Sequence, residues 1–144
     1  MLIALIACIR CTPGALGSAS SGGASDVVID MSLSMHPATT LPQGSAGGYA
    51  PLPLTISLGT TIRFVNGDNA NHTATIIQAA SFPIGSPLST SATVRSGAAV
   101  ANFSTGTLAP QTNSQTITAD SRGTFLYGCF YHYGAPMRGV IIVQ

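Results

Sequence analysis

The chain has 144 residues, enough for one domain, and its charged side chains are five Arg and four Asp, so that 6% of it is charged and 45% hydrophobic. A net charge of +1 excludes electrostatic binding to nucleic acid, which needs several cations to neutralise phosphates. The apolar content excludes disorder over most of the length, and no run approaches the roughly 20 apolar residues of a bilayer-spanning helix.

Residues 1–9, MLIALIACI, are apolar and are expected to form the end of a secretory hydrophobic segment followed by a cleavage zone. Leu5-Ile6-Ala7-Cys8 also resembles a lipobox, in which the Cys is lipidated after cleavage. That resemblance implies membrane anchoring through Cys8 and an extracytoplasmic chain, periplasmic or secreted. Cys8-Ile9-Arg10-Cys11 is formally a C-x2-C, but a redox or metal role would require a second pair or a thioredoxin-like helix. Residues 12–25 are a Gly/Ser/Ala-rich tether with nothing to bury. The expected organisation is a signal- or anchor-like segment with its tether over 1–25 and one folded domain over 26–144.

With 16 Gly and 9 Pro, the remainder reads as short strands joined by many turns. From Val27 to Met35, Ile29, Met31, Leu33 and Met35 alternate with Asp30, Ser32 and Ser34, the period-2 pattern of a half-buried strand. Residues 37–53 read as a long loop. Strands are predicted over Leu54–Leu58, Thr61–Asn66 and His72–Gln78. The stretch 80–113 reads as a Ser/Pro-rich excursion with strands at Thr93-Val94 and Ala98–Phe103. Thr116–Ala119, Thr124–Tyr127 and Gly139–Val143 complete the set. Helical periodicity is lacking, and seven or eight short strands in about 120 residues predict an all-β, Greek-key two-sheet β-sandwich.

The chemistry-bearing stretch is Cys129-Phe-Tyr-His132-Tyr-Gly-Ala-Pro-Met137, which puts a thiol, an imidazole and a thioether in one loop between two strands. A type 1 copper site requires two His and one Cys in a trigonal plane with a weak axial Met. The loop supplies three of the four, and His72, opening a strand after Gly67-Asp68-Asn69-Ala70-Asn71, is the candidate for the fourth. A closed structural zinc site would prefer more Cys and no Met.

These residues resemble the cupredoxins, the type 1 or blue copper proteins. The spacing C-x2-H-x4-M is similar to that of plastocyanin, amicyanin or pseudoazurin rather than to the longer loop of azurin. Thr61-Ile-Arg-Phe-Val-Asn66 with the turn to His72 resembles the family's strand-turn-strand into its first His. Gly123–Cys129 resembles the strand leading into the Cys, and Met137–Val143 the closing strand. The resemblance implies one copper ion, cycling between Cu(I) and Cu(II), held by His72, Cys129, His132 and Met137. It also implies one-electron transfer outside the cytoplasm, with redox proteins such as a cytochrome or terminal oxidase as partners. Two departures stand out: Tyr131 takes a place often held by Pro, and Thr73 follows the first His where many members have Asn. The tie from that position to the Cys loop is therefore expected to pass through a hydroxyl and a backbone N–H.

Blander roles suit the other candidates. His36 abuts a Pro at a strand end and reads as a surface or loop residue, the rival role being a substitute or weak second copper contact. Met31 and Met35 fall on the apolar face of their strand, so core packing is expected rather than a Cu(I) cluster. Phe130, Tyr131, Tyr133 and Tyr127 either pack one end of the sandwich or form an apolar docking patch around His132. Arg138 is the one electrostatic feature expected at that end. The acceptor patterns Asn71-His-Thr and Asn102-Phe-Ser are read as coincidental.

An oxidase or nitrite reductase needs further His ligands, and the chain has three His in all. A binuclear carrier needs two Cys in its loop. A cysteine hydrolase would need Cys129 as nucleophile with a base and an orienting group. The expected activity is thus electron transfer and not catalysis, with non-redox copper delivery or buffering as the alternative.

Overall fold

The computed structural model describes residues 26–144, so the segment and tether read at 1–25, including Cys8 and Cys11, lie outside the described residues. Twelve strands are found among them: β1 (Val27–Met31), β2 (Thr39–Leu41), β3 (Gly44–Ala46), β4 (Tyr49–Ala50), β5 (Leu54–Ile56), β6 (Thr61–Asn66), β7 (Thr75–Ile77), β8 (Arg95–Ala99), β9 (Asn102–Thr105), β10 (Ile117–Thr118), β11 (Gly123–Gly128) and β12 (Arg138–Val143). A single 3-10 turn, Thr90–Thr93, precedes β8.

Ten strands are hydrogen-bonded in the order β4-β1-β6-β10-β8-β9-β7-β11-β12-β5, and β2 pairs with β3 alone. The ten-strand ribbon folds back on itself. Side chains from its first half (Ile29, Met31, Tyr49, Ile62, Phe64) share one buried cluster with side chains from its second half (Phe103, Tyr127, Ile141, Val143, Leu54). Two faces of alternating strands closed over one apolar core make the expected sandwich. Its centre is aromatic. The Tyr127 ring meets Tyr49 at 4.8 Å and Phe64 at 5.3 Å between centroids, both edge-on, and Phe64 stacks on Phe103 at 5.7 Å.

β6 shows why these residues form strands. Its burial alternates without a break, with Ile62, Phe64 and Asn66 inward, and it lies between parallel β1 and antiparallel β10. β12 is flanked by antiparallel β11 and parallel β5, and its Val140, Ile141 and Val143 are all buried, as a continuous apolar run in a central strand requires.

The structure corrects several sequence expectations. The strand predicted over 27–35 ends at Met31. Beyond it the N–H of Leu33 is taken by the Asp68 carboxylate and that of His36 by the Ser32 carbonyl, which turns the chain. Met31 is in the core as expected, but Met35 is 72% exposed, so its packing role is overturned. The loop read at 37–53 holds β2, β3 and β4, each too short to show a period of its own. The predicted 72–78 strand shrinks to Thr75–Ile77.

Candidate metal centre

The centre is assembled at one end of the sandwich, where β6, β11 and β12 reach their ends. Asn66, the last residue of β6, is buried. Its side chain donates to the carbonyls of Ala70 and Leu108 and accepts the N–H of Asp68, folding the GDNAN turn into a fixed shape. The turn delivers His72, whose backbone exchanges both hydrogen bonds with Leu108 at 3.1 and 2.8 Å. The imidazole is wholly buried.

Cys129 follows β11 directly, and its N–H donates to the carbonyl of Met137 at 3.0 Å. Between them the chain closes a tight loop in which the His132 carbonyl accepts the N–H groups of Ala135 and Met137. Met137 is buried, and Gly47 and Arg138 exchange backbone hydrogen bonds beside it. The side chains of Cys129 and His132 and that of His72 thereby converge from two separate segments.

The convergence is specific at the atom level. His72 Nδ1 lies 3.1 Å from His132 Nδ1 and 3.8 Å from Cys129 Sγ, and His132 Nδ1 lies 3.6 Å from the same sulfur. All three donors lie within 4.8 Å of one another, the one such His/Cys/Asp/Glu group of three or more among the described residues. A metal with bonds of roughly 2.0 Å to nitrogen and 2.3 Å to sulfur, the zinc values, fits inside a triangle with these edges. Two imidazoles and one thiolate in a plane are the donor set of a type 1 copper site.

The surroundings tune these donors. Burial pushes the Cys129 thiol above its ordinary value, opposed by the Thr73 N–H that donates to Sγ at 3.4 Å. Burial lowers the His72 imidazole, with Asp68 opposing, so the ring is held neutral and able to ligate. The N–H groups of Asn69 and Leu33 keep the Asp68 carboxyl below its ordinary range. The Thr73 hydroxyl accepts the N–H of Phe130 at 2.8 Å, and the Tyr49 phenol donates to the Thr73 carbonyl at 2.6 Å.

Other sequence candidates fall elsewhere. The His36 ring pairs with Asp30 at 2.6 Å and does not join the donor cluster. Tyr127 belongs to the core. Tyr133 is buried, its phenol donating to the Pro83 carbonyl, so the 80–113 excursion buttresses the Cys loop. Tyr131 is 44% exposed beside His132. Arg138, expected as an electrostatic feature, instead lies over the Tyr133 ring at 4.0 Å and donates through Nε to the Tyr133 carbonyl. The sequence reading missed Tyr49 and the contact of Asp68 with His72 Nε2 at 3.3 Å. An acid four residues before a ligand was the only available signal for Asp68, and it means little outside a helix.

A β-sandwich with a buried Cys and two His at one end defines a copper-protein class, and comparison with known proteins agrees. The family model for copper binding proteins, plastocyanin/azurin family, matches residues 38–144. The chain belongs to that family, and its metal is copper. Among solved structures it is similar to a novel purple cupredoxin from Nitrosopumilus maritimus, with 20% identity over 83% of this chain and 100% of that one and a TM-score of 0.52. It is similar to plastocyanin from Dryopteris crassirhizoma, with 17% identity over 82% of this chain and 100% of the other and a TM-score of 0.52. A copper-containing nitrite reductase from Thermus scotoductus SA-01 is 23% identical over 83% of this chain but only 22% of its own length, with a TM-score of 0.52. At these identities the likeness is one of fold. No curated protein sequence matches the chain.

Proposed function

We propose that the protein is a one-electron carrier whose single copper would be held by His72, Cys129 and His132, with the thioether of Met137 as the fourth donor. The observation that carries this reading is the meeting of two Nδ1 atoms and one Sγ at mutual distances of 3.1–3.8 Å. When bound, copper supplies a Cu(II)/Cu(I) couple with little ligand movement.

The chain's own residues supply the rest. His72 and Cys129 are wholly buried, which excludes water and exchanging ligands. Hydrogen bonds from the Thr73 N–H, and from the Cys129 N–H to Met137, hold the sulfur and its loop in one arrangement. His132 is the half-buried member and the exit toward a partner, with exposed Tyr131 beside it. Burial of the donors also favours retention of copper over delivery or buffering, the alternative role. His72 and His132 are committed to this site and His36 to Asp30, so electron transfer is favoured over catalysis at a second copper.

The partners are redox proteins, a cytochrome or terminal oxidase being the class expected. Location outside the cytoplasm, with Cys8 as the lipid attachment point and 12–25 as a tether to the 26–144 domain, completes the proposal and is supported by the residue pattern of 1–25 alone.

The test is addition of Cu(II) to the purified protein with recording of the visible spectrum. An intense thiolate-to-copper band, bleached reversibly by reductant and lost in Cys129→Ser, is expected. Stoichiometric copper without that band would move the assignment to metal delivery, and no bound copper would overturn both.

A further inference from the structure

We propose that Asp68 is a positioning residue that sets the reduction potential of the centre: its carboxylate, fixed against the Nε2–H of His72, favours the oxidised site and lowers the potential. The inference rests on the copper reading above and adds to it a residue outside the four ligands.

The tautomer of His72 follows from geometry. Its Nδ1 faces Cys129 Sγ and His132 Nδ1, so ligation there requires the ring proton to sit on Nε2. Nε2 lies 3.3 Å from Asp68 Oδ2, and Nε2–H donates to that oxygen. A carboxylate on the far nitrogen fixes the ring's orientation and raises its basicity toward the metal.

The carboxylate is itself placed and not swinging in solvent. Its Oδ1 accepts the Asn69 N–H at 2.8 Å and its Oδ2 the Leu33 N–H at 3.0 Å. The backbone N–H of Asp68 is held by Asn66 Oδ1 at 3.0 Å. Its side chain is 19% exposed, and a partly buried pair is screened less by salt than an exposed one. Two backbone dipoles moderate that charge without cancelling it.

The sparse charge of the chain makes one such group matter. Among the described residues the other carboxylates are engaged or remote: Asp26 with Arg63, Asp30 with His36, and Asp120 exposed near Ser121. The guanidinium of Arg138 is stacked on Tyr133. Oxidation adds one positive charge to the site, and Asp68 is the anion in contact with a ligand to receive it. Both the Coulomb attraction and the strengthened Nε2–H hydrogen bond act in the same direction.

Asp68→Asn tests this, because the amide keeps the shape and can still accept from Nε2–H while losing the charge. The expected result is an intact thiolate-to-copper band with the Cu(II)/Cu(I) equilibrium displaced at least tenfold toward Cu(I), a rise of about 59 mV for one electron. Asp120→Asn, removing an exposed carboxylate, should leave the potential in place. A potential that stays or falls in a copper-loaded Asp68→Asn protein overturns the proposal. Should Asp68→Asn fail to fold, the native Cu(I) protein decides by nitrogen-15 NMR. A slowly exchanging His72 Nε2–H signal supports the proposal, and a proton on Nδ1 or a freely exchanging Nε2–H overturns it. A native protein that binds copper without the thiolate band would remove the underlying electron-carrier reading instead, and the two failures are therefore distinct.

Discussion

The hydroxyl of Thr73 accepts the backbone N–H of Phe130 at 2.8 Å, joining the residue after one imidazole to the residue after the sulfur. The Thr73 N–H donates to Cys129 Sγ, so one buried residue grips the Cys loop twice. A threonine thus does the work that the family resemblance assigns to asparagine. Thr73→Val keeps the volume and the N–H but leaves the part-buried Phe130 N–H without its partner, which costs about 1 kcal/mol. A lowered unfolding midpoint in denaturant, recovered in Thr73→Ser, is the expected outcome.

The position of Met137 depends on a glycine. Gly48 has φ +74, and a Cβ there would lie 2.6 Å from Met137 Cγ and 3.3 Å from Leu33 Cδ2. Gly48→Ala would therefore incur roughly 1–2 kcal/mol of backbone cost and push the thioether aside. The expected readout is a changed ratio of the two charge-transfer bands of the copper-loaded protein, with the total thiolate absorption retained. An unchanged ratio in a folded variant would show that Met137 does not reach the metal.

How much of this was legible in the sequence depended on how local the signal was. β6 was read to the residue, because Thr61–Asn66 carries an uninterrupted alternation. The Cys129–Met137 loop announced itself through spacing alone. β2 to β4 were missed because Thr39–Leu41, Gly44–Ala46 and Tyr49-Ala50 have no periodicity to read. β4 exists because β1 offers it an edge, and β3 because it pairs with β2. Alternation past Met31 misled in the opposite sense, since Asp68, thirty-five positions away, captures Leu33 and bends the chain. Asp68 and Tyr49 owe their roles to contacts between distant segments, which no local pattern encodes.

The core holds an unusual cross-strand pair, Tyr127 opposite Gly139. A Cβ on Gly139 would sit 2.2 Å from Tyr127 Cζ, so the ring lies across the bare backbone of its neighbour, a known way of covering a strand glycine. Gly139→Ala should destabilise by about 3 kcal/mol, at the upper end for overpacking, because the buried ring has nowhere to retreat. The phenol of Tyr127 has no hydrogen-bond partner among the described residues. Tyr127→Phe is therefore expected to be neutral or to stabilise by about 1 kcal/mol. Thermal unfolding of the two variants checks both signs.

Part of the acid sensitivity should lie at the start of β1. Asp26 is held below its ordinary carboxylate range by the Thr61 hydroxyl and by Arg63, with Thr116 adding a third donor. The Arg63 guanidinium reaches it at 2.7 Å and the Thr116 hydroxyl at 3.1 Å. A group whose folded-state value is depressed binds protons more weakly than in the unfolded chain. Its stabilisation is complete above the ordinary aspartate value of about 3.9 and is lost as pH falls through the lower folded value. In Asp26→Asn the unfolding temperature should therefore fall less steeply than in the native protein below about pH 4. High salt should weaken the native protein's advantage at neutral pH, since the pair is partly exposed. Parallel melting curves in acid would sink the assignment of this carboxylate as a stabilising anion.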